Sequence, residues 1–189
     1  MRVVAGTLRG RALASPSHEG LRPTSDRVRE AAFNILQHGI DDFDIEGVRV
    51  LDLFAGTGAM GIEALSRGAS TCLFVEQDAD ARGLIRQNVN AFGLTGVTRI
   101  FRRDATTIGP MGRTDSFQLV FCDPPYGEGL GEKAIAAAIE GGWLADGAIV
   151  VLEERDGVAI AMTEVVEMLD QRSWGKTQML FARYRKAVG

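Results

Sequence analysis

Two kinds of apolar spacing alternate along the chain from Val48 onward. Continuous apolar runs, "VRVLDLF", "TCLFVEQ", "TRIFRRD", "FQLVFC" and "GAIVVLEE", are broken by more polar stretches, several with helical apolar spacing. The runs read as strands buried on both faces, and the periodic stretches as amphipathic helices. One helix opens after a Gly-rich turn and ends near Gly68. The next carries the stripe Leu84, Ile85, Val89 and Phe92 up to Gly93, and another is expected near Glu132–Glu140. Such alternation predicts a doubly wound, Rossmann-like α/β sheet, mostly parallel, with helices on both faces. The tail differs: "EVVEMLD" and "TQMLFARY" flank "QRSWGK" closely, which suits an antiparallel C-terminal hairpin at a mixed edge.

Ahead of the alternation the pattern is less regular. "RVVAG" and "GRAL" suggest a short strand or hairpin, followed by a loop around Pro16. From Thr24, Val28, Ala32, Ile35 and Leu36 share a helical face; Thr24 or Ser25 can cap its start and Gly39 its end. "DDFDIEG" reads as an acidic linker. Residues 1–40 are therefore expected as a short N-terminal extension, and residues 41–189 as the main domain.

Composition excludes some classes. No apolar run approaches the ~18 residues of a membrane span, and "MRVVAGTLRGRAL" has too short an apolar stretch for a secretory signal. Cys72 and Cys122 lie inside strand-like runs and read as buried free thiols rather than a disulfide or a metal pair, so no metal is expected. The net charge of −4 argues against a nucleic-acid partner until its distribution is seen. Residues 1–38 carry six Arg against three acids, and residues 171–189 carry five bases and no acid, leaving the middle at −12. Eighteen of the 21 basic residues are Arg, the side chain suited to bidentate phosphate contact. Two basic flanks converging into a phosphate-binding surface are the expectation, beside the plainer reading of solvated termini.

The turn after the first strand is "DLFAGTGAMG", in which Gly56, Gly58 and Gly61 keep the G-x-G-x-x-G spacing. Such glycines permit a tight turn and a close ligand, and an acid after the second strand can hold ribose hydroxyls; Glu76 stands there, 20 residues after Gly56. NAD, FAD and S-adenosylmethionine (SAM) sites share this spacing. Two acids favour SAM. Asp52 precedes the glycines, where it can meet a methionine ammonium and would repel a pyrophosphate. Asp104 ends the third strand, where it can accept from an adenine amino group. Phe54 and Ala105 are included among the cofactor contacts.

After the fourth strand comes "CDPPYG". The lone pair of a nucleobase amino group is delocalised, so attack on a methyl needs acceptors that hold its hydrogens. Asp123 and the carbonyl of Pro124 can supply them. Pro124 and Pro125 fix φ near −65° and pre-aim that carbonyl. Tyr126 can stack on a base drawn out of its helix. No strong general base is needed, because the methylated ammonium sheds its proton readily.

Together, "DLFAGTGAMG", "FVEQD", "RRDA" and "DPPY" resemble the motifs of class I SAM-dependent amino-methyltransferases. The segments "MRVVAGTLRGRAL", "GLRPTSDRVREAAFNIL" and "WGKTQMLFARYR" are similar to the bacterial RsmD family, which methylates a guanine N2 of small-subunit (16S) ribosomal RNA. The resemblance covers nearly the whole chain. It implies a methyltransferase domain that binds SAM, a monomer, and a cytoplasmic enzyme acting on an assembling ribosomal subunit. It also implies that Arg22, Thr24 and Arg29 lie near the cofactor and the RNA entry, with Arg9 and Arg11 as further RNA contacts. DPPY alone leaves the base open, so adenine N6 of RNA or DNA is an alternative. A nicotinamide-dependent oxidoreductase and a non-catalytic assembly factor are rivals from other classes.

Overall fold

The computed structural model describes residues 1–16 and 25–187. They form a seven-stranded sheet in the order β3-β2-β1-β4-β5-β7-β6. The strands are β1 (Arg49–Leu53), β2 (Thr71–Val75), β3 (Thr98–Phe101), β4 (Phe117–Cys122), β5 (Leu144–Arg155), β6 (Val166–Trp174) and β7 (Thr177–Tyr184). The first five are parallel, β7 runs antiparallel to β5, and β6 antiparallel to β7. The tail is thus a hairpin, but β6 runs on through "QRSW" and only Gly175 and Lys176 make the turn. Among the described residues no helix is long and apolar enough to cross a membrane.

Alternation along the strands divides the core in two. Val50, Phe74, Phe121, Val151 and Phe181 face helices α1 (Asp26–His38), α2 (Ala59–Ser66) and α3 (Ala79–Ala91). Leu51, Leu53, Val120, Val150 and Leu180 face helix α4 (Leu130–Glu140) and Trp143. The layers are unequal, because the connection from β3 to β4 holds only a 3₁₀ turn at Ala105–Thr107. The strand order reverses at β1, with β2 and β3 to one side and β4 and β5 to the other, so the crevice beyond the carboxyl ends of β1 and β4 is the switch point where open α/β sheets bind ligands.

The N-terminal hairpin is reduced to a single antiparallel bridge, Arg2 to Ala12. Its backbone is satisfied partly within the segment, as by the Val3 N–H on the Arg11 carbonyl at 3.0 Å and the Gly10 N–H on the Val3 carbonyl at 2.8 Å, and partly by α2. The Val4 and Ala5 N–H groups donate to Glu63 at 2.9 and 3.0 Å, and the Leu8 N–H donates to Ser66 Oγ at 3.0 Å. The approach is so close that a Cβ on Gly6 would lie 1.8 Å from the Ser66 carbonyl oxygen. Ser25 caps α1, its Oγ accepting from the Val28 N–H, and Gly39 ends the helix as its spacing suggested. Ala32, Phe33 and Leu36 put α1 into the same core as the sheet.

Candidate active site

Outside the carboxyl ends of β1, β2 and β4 lies a cleft of about 600 Å³. Its wall includes Asp52, Phe54, Gly56 and Glu76, and also Asp104, Ala105 and the tetrapeptide Asp123, Pro124, Pro125 and Tyr126. Four separate segments thus supply it. Gly58 and Gly61 stand just behind the wall.

The glycine loop is built by backbone conformations that side chains resist. Gly56 and Gly58 have φ of 56° and 79°, and Phe54 itself has φ 55°, which for a non-glycine costs of order 1–3 kcal/mol. The loop is held by Glu76, whose Oε2 accepts from the Gly56 N–H at 2.9 Å while Oε1 accepts from the Asp78 N–H at 2.9 Å. A carboxylate has about four acceptor sites, so these bonds leave capacity for hydroxyls. Gly61 lets α2 lie on the sheet: a Cβ there would sit 2.5 Å from Cys72 Sγ and from the Phe74 ring. Its N–H donates to Asp52 Oδ2 at 3.1 Å. Asp52 is buried, and burial pushes its carboxyl up to about 8; the Gly61 N–H opposes the shift and the charge of Glu76 adds to it. Asp104 uses Oδ1 to cap the 3₁₀ turn, accepting from the Thr106 N–H at 2.8 Å and its hydroxyl at 2.7 Å.

On the other wall, the Asp123 N–H donates to the Leu53 carbonyl at 3.3 Å, which carries the β1–β4 ladder one step beyond the strand before the prolines stop it. The Tyr126 hydroxyl donates to Glu153 on β5, with Thr177 Oγ1 3.3 Å away, and the Gly127 N–H donates to Glu154 at 2.9 Å. Burial and the Glu153 carboxylate both push the phenol up, so Tyr126 stays protonated and its ring is pinned at its far end. Both cysteine thiols are also pushed up by burial and are free.

The proposed RNA contacts fare less uniformly. Arg29 is a correction: its side chain is 0% exposed, with Nε 3.4 Å from Glu63 and a terminal nitrogen 2.9 Å from Asp26. It also donates to the Arg2 carbonyl, so it is a core cation rather than a phosphate contact. Arg9 and Arg11 are both exposed, and Arg11 donates to the Ala91 carbonyl at 2.5 Å and lies over the Phe92 ring. Arg22 and Thr24 lie outside the described residues. Among the described residues the two flanks do not gather into one patch: Arg172 and Arg185 sit on or beside edge strand β6, pairing with Asp170 and Glu167, Arg183 donates to the Asp41 carbonyl just after α1, and Arg11 meets the end of α3 near the opposite edge. Trp174 packs against the core at its rim.

Two polar residues escaped the sequence reading. Asn88 interrupts the apolar stripe of α3, and that interruption was the available signal. Its Nδ2 donates to the Thr57 carbonyl at 3.1 Å, and its Oδ1 accepts from the Ala14 N–H at 2.7 Å, tying the N-terminal segment to the glycine loop. Glu63 is the one charge in "AMGIEALS" and is 0% exposed.

Comparison with known proteins agrees with this geometry. Residues 1–183 match the family described as conserved hypothetical protein 95. The ribosomal RNA small subunit methyltransferase D of Escherichia coli strain K12 is 39% identical over 153 residues, 81% of this chain and 74% of that protein. A putative rRNA methyltransferase of Bacillus subtilis, YlbH, is 40% identical over 130 residues, 68% of each. Among solved structures, the putative methyltransferase yhhF from Escherichia coli superposes with a TM-score of 0.84 at 28% identity, covering 99% of both chains.

Proposed function

The chain belongs to the conserved hypothetical protein 95 family, that of the small-subunit rRNA methyltransferase D enzymes, and on that premise we propose that it methylates a guanine N2 of 16S rRNA. SAM is the methyl donor, and the substrate is an assembling small subunit, met in the cytoplasm by a monomer. The observation that carries this reading is the meeting of two units on one cleft: the acid-lined glycine loop and the DPPY turn. The nicotinamide alternative leaves Asp52 and DPPY without a role and finds no support in the family.

The cleft suits SAM by its charges: Asp52 would take the methionine ammonium, Glu76 the ribose hydroxyls and Asp104 the adenine amino group, all three lining the cleft. When bound, SAM supplies a methyl carbon on a cationic sulfur, which leaves as a neutral thioether. The Asp123 carboxylate and the Pro124 carbonyl accept the two amino hydrogens and turn the nitrogen lone pair toward the cleft. Tyr126, pinned by Glu153, stacks on the base. After the N–C bond forms, the ammonium proton passes to water.

Tritiated SAM offered to unmethylated small subunits, naked rRNA and DNA tests the proposal. Label in N2-methylguanosine from the particle is expected. Label only in methyladenosine, or none in any RNA, overturns it.

Asp52 gives a pH dependence. An ammonium beside it favours the ionised form, so below pH about 8 SAM binding expels a proton. Affinity should rise by up to about tenfold per pH unit well below 8 and pass through a maximum near 8, because the ligand's own α-ammonium loses its proton above it. Without ligand the sign reverses. The folded state holds a proton that the unfolded chain releases near 3.8, so this contribution to stability is full below 3.8 and is lost as pH rises to about 8. Calorimetry from pH 6 to 9 measures the affinity slope; an Asp52→Asn variant should flatten it.

A further inference from the structure

A second cavity, of about 380 Å³, opens on the sheet face that the short β3–β4 connection leaves without a helix. Its size falls in the ~300–1,000 Å³ range of ligand pockets. Alternation explains what points into it. Arg49 shares a face with Leu51 and Leu53 of the α4-side core, and Arg99 shares one with Phe101. Arg103, whose Nη1 donates to the Ile108 carbonyl at 2.7 Å, and Arg113 line it too, so four arginines border the cavity, and among the described residues its wall contains no Asp or Glu.

The floor is rigid and aromatic. Phe117 stacks on Trp143 at 6.2 Å, and Phe101 meets Trp143 edge-on at 6.4 Å. Arg49 lies 5.2 Å from the Phe117 centroid and Arg103 5.4 Å from that of Phe101, which aims both cations. Trp143 Nε1 donates to the Gly109 carbonyl at 2.7 Å and holds the connecting loop. Arg49 also pairs with Asp115 at 3.1 Å, on the loop rim, where the Asp115 side chain is 91% exposed. Arg99 and Arg113 are exposed.

From this convergence we propose that the cavity binds the sugar–phosphate backbone of the RNA strand whose base enters the cleft, an inference that rests on the rRNA reading above. Charge complementarity selects the occupant, since a cation cluster without lining acids in a chain of net charge −4 suits a polyanion. Position agrees. Arg103 lines both cavities, and Phe117 at the start of β4 lines this one while Asp123 just past its end lines the cleft, six residues or ~20 Å apart at ~3.3 Å each, a span a few nucleotides can bridge. Planar guanidinium forks suit phosphate oxygens bidentately.

The test uses the full chain and a single-stranded oligouridylate, with binding measured across salt concentrations. Replacing Arg99 and Arg113 together by Ser is expected to weaken binding ~10-fold at low salt and to lower the salt slope by about 1.4, since each single-strand phosphate contact contributes about 0.7. SAM affinity in the same variant should be unchanged, which reports an intact fold. The Lys pair at both positions should recover most of the slope, and Arg172→Ser on β6 should leave it alone. A wild-type slope in the Ser pair overturns the proposal, as does an equal loss in the Lys pair. So does displacement of the RNA by polyglutamate at equal charge. Methyl transfer is read separately: a chain that binds the oligonucleotide through these arginines but labels no rRNA sinks the rRNA reading, whereas one that labels rRNA with a wild-type slope in the Ser pair sinks only this site.

Discussion

Replacing Asp123 by Ala is expected to abolish methyl transfer, by 10²–10³-fold or more in kcat, on the scale of losing one preorganised electrostatic partner of a transition state. SAM affinity should stay nearly intact. The reason is positional. Asp123 stands where β4 ends, its N–H still on the Leu53 carbonyl, and both prolines that stiffen the turn remain in the variant. What disappears is the acceptor for one amino hydrogen, and with it the bias of the lone pair toward the methyl. Asp123→Asn keeps a carbonyl oxygen in the same place and should lose less. Single-turnover transfer beside SAM calorimetry separates chemistry from binding, and an active Asp123→Ala enzyme would remove the assignment.

The largest stability effect is expected at Glu63. Its carboxylate is fully buried and accepts from the Val4 and Ala5 N–H groups, from Arg67 Nε at 2.9 Å and from Arg29 Nε at 3.4 Å. Glu63→Ala strands two N–H groups and leaves a buried guanidinium short of its partner, a loss of about 3–5 kcal/mol. Urea unfolding should show that loss, with earlier proteolysis within residues 1–12. The Arg185–Glu167 pair is the contrast: both side chains are more than half exposed, so Glu167→Ala should cost no more than about 0.5 kcal/mol. Equal effects at the two sites would mean that burial is not what gives the Glu63 cluster its weight.

Much of the active cleft was legible because its parts are local. Asp52, the glycines, Glu76, Asp104 and DPPY each sit at the end of an apolar run, and a parallel sheet brings such ends to one edge without further information. The Tyr126–Glu153 bond was not legible, because it spans 27 residues and depends on β5 lying beside β4. Arg29 was misjudged for a related reason. On its own helix it looks like a solvent-facing cation, and only the docking of residues 1–12 and α2 encloses it.

Charge shows the division most clearly. Counting residues along the chain placed the basic character at its termini and made the middle acidic. Folding reverses that impression: among the described terminal arginines Arg29 is drawn into the core and Arg11 and Arg172 lie near opposite edges of the sheet, while Arg49, Arg99, Arg103 and Arg113, all from the acidic middle, border one cavity. By itself the sequence determined the alternation of strands and helices, the glycine turn and the stiff DPPY stop, because hydrophobic period and backbone restriction act over a few residues. Tertiary structure alone decided which arginines are buried, which tyrosine is pinned and where cations gather. Those depend on strand order and on which face of the sheet a helix covers, and neither is written in any one segment.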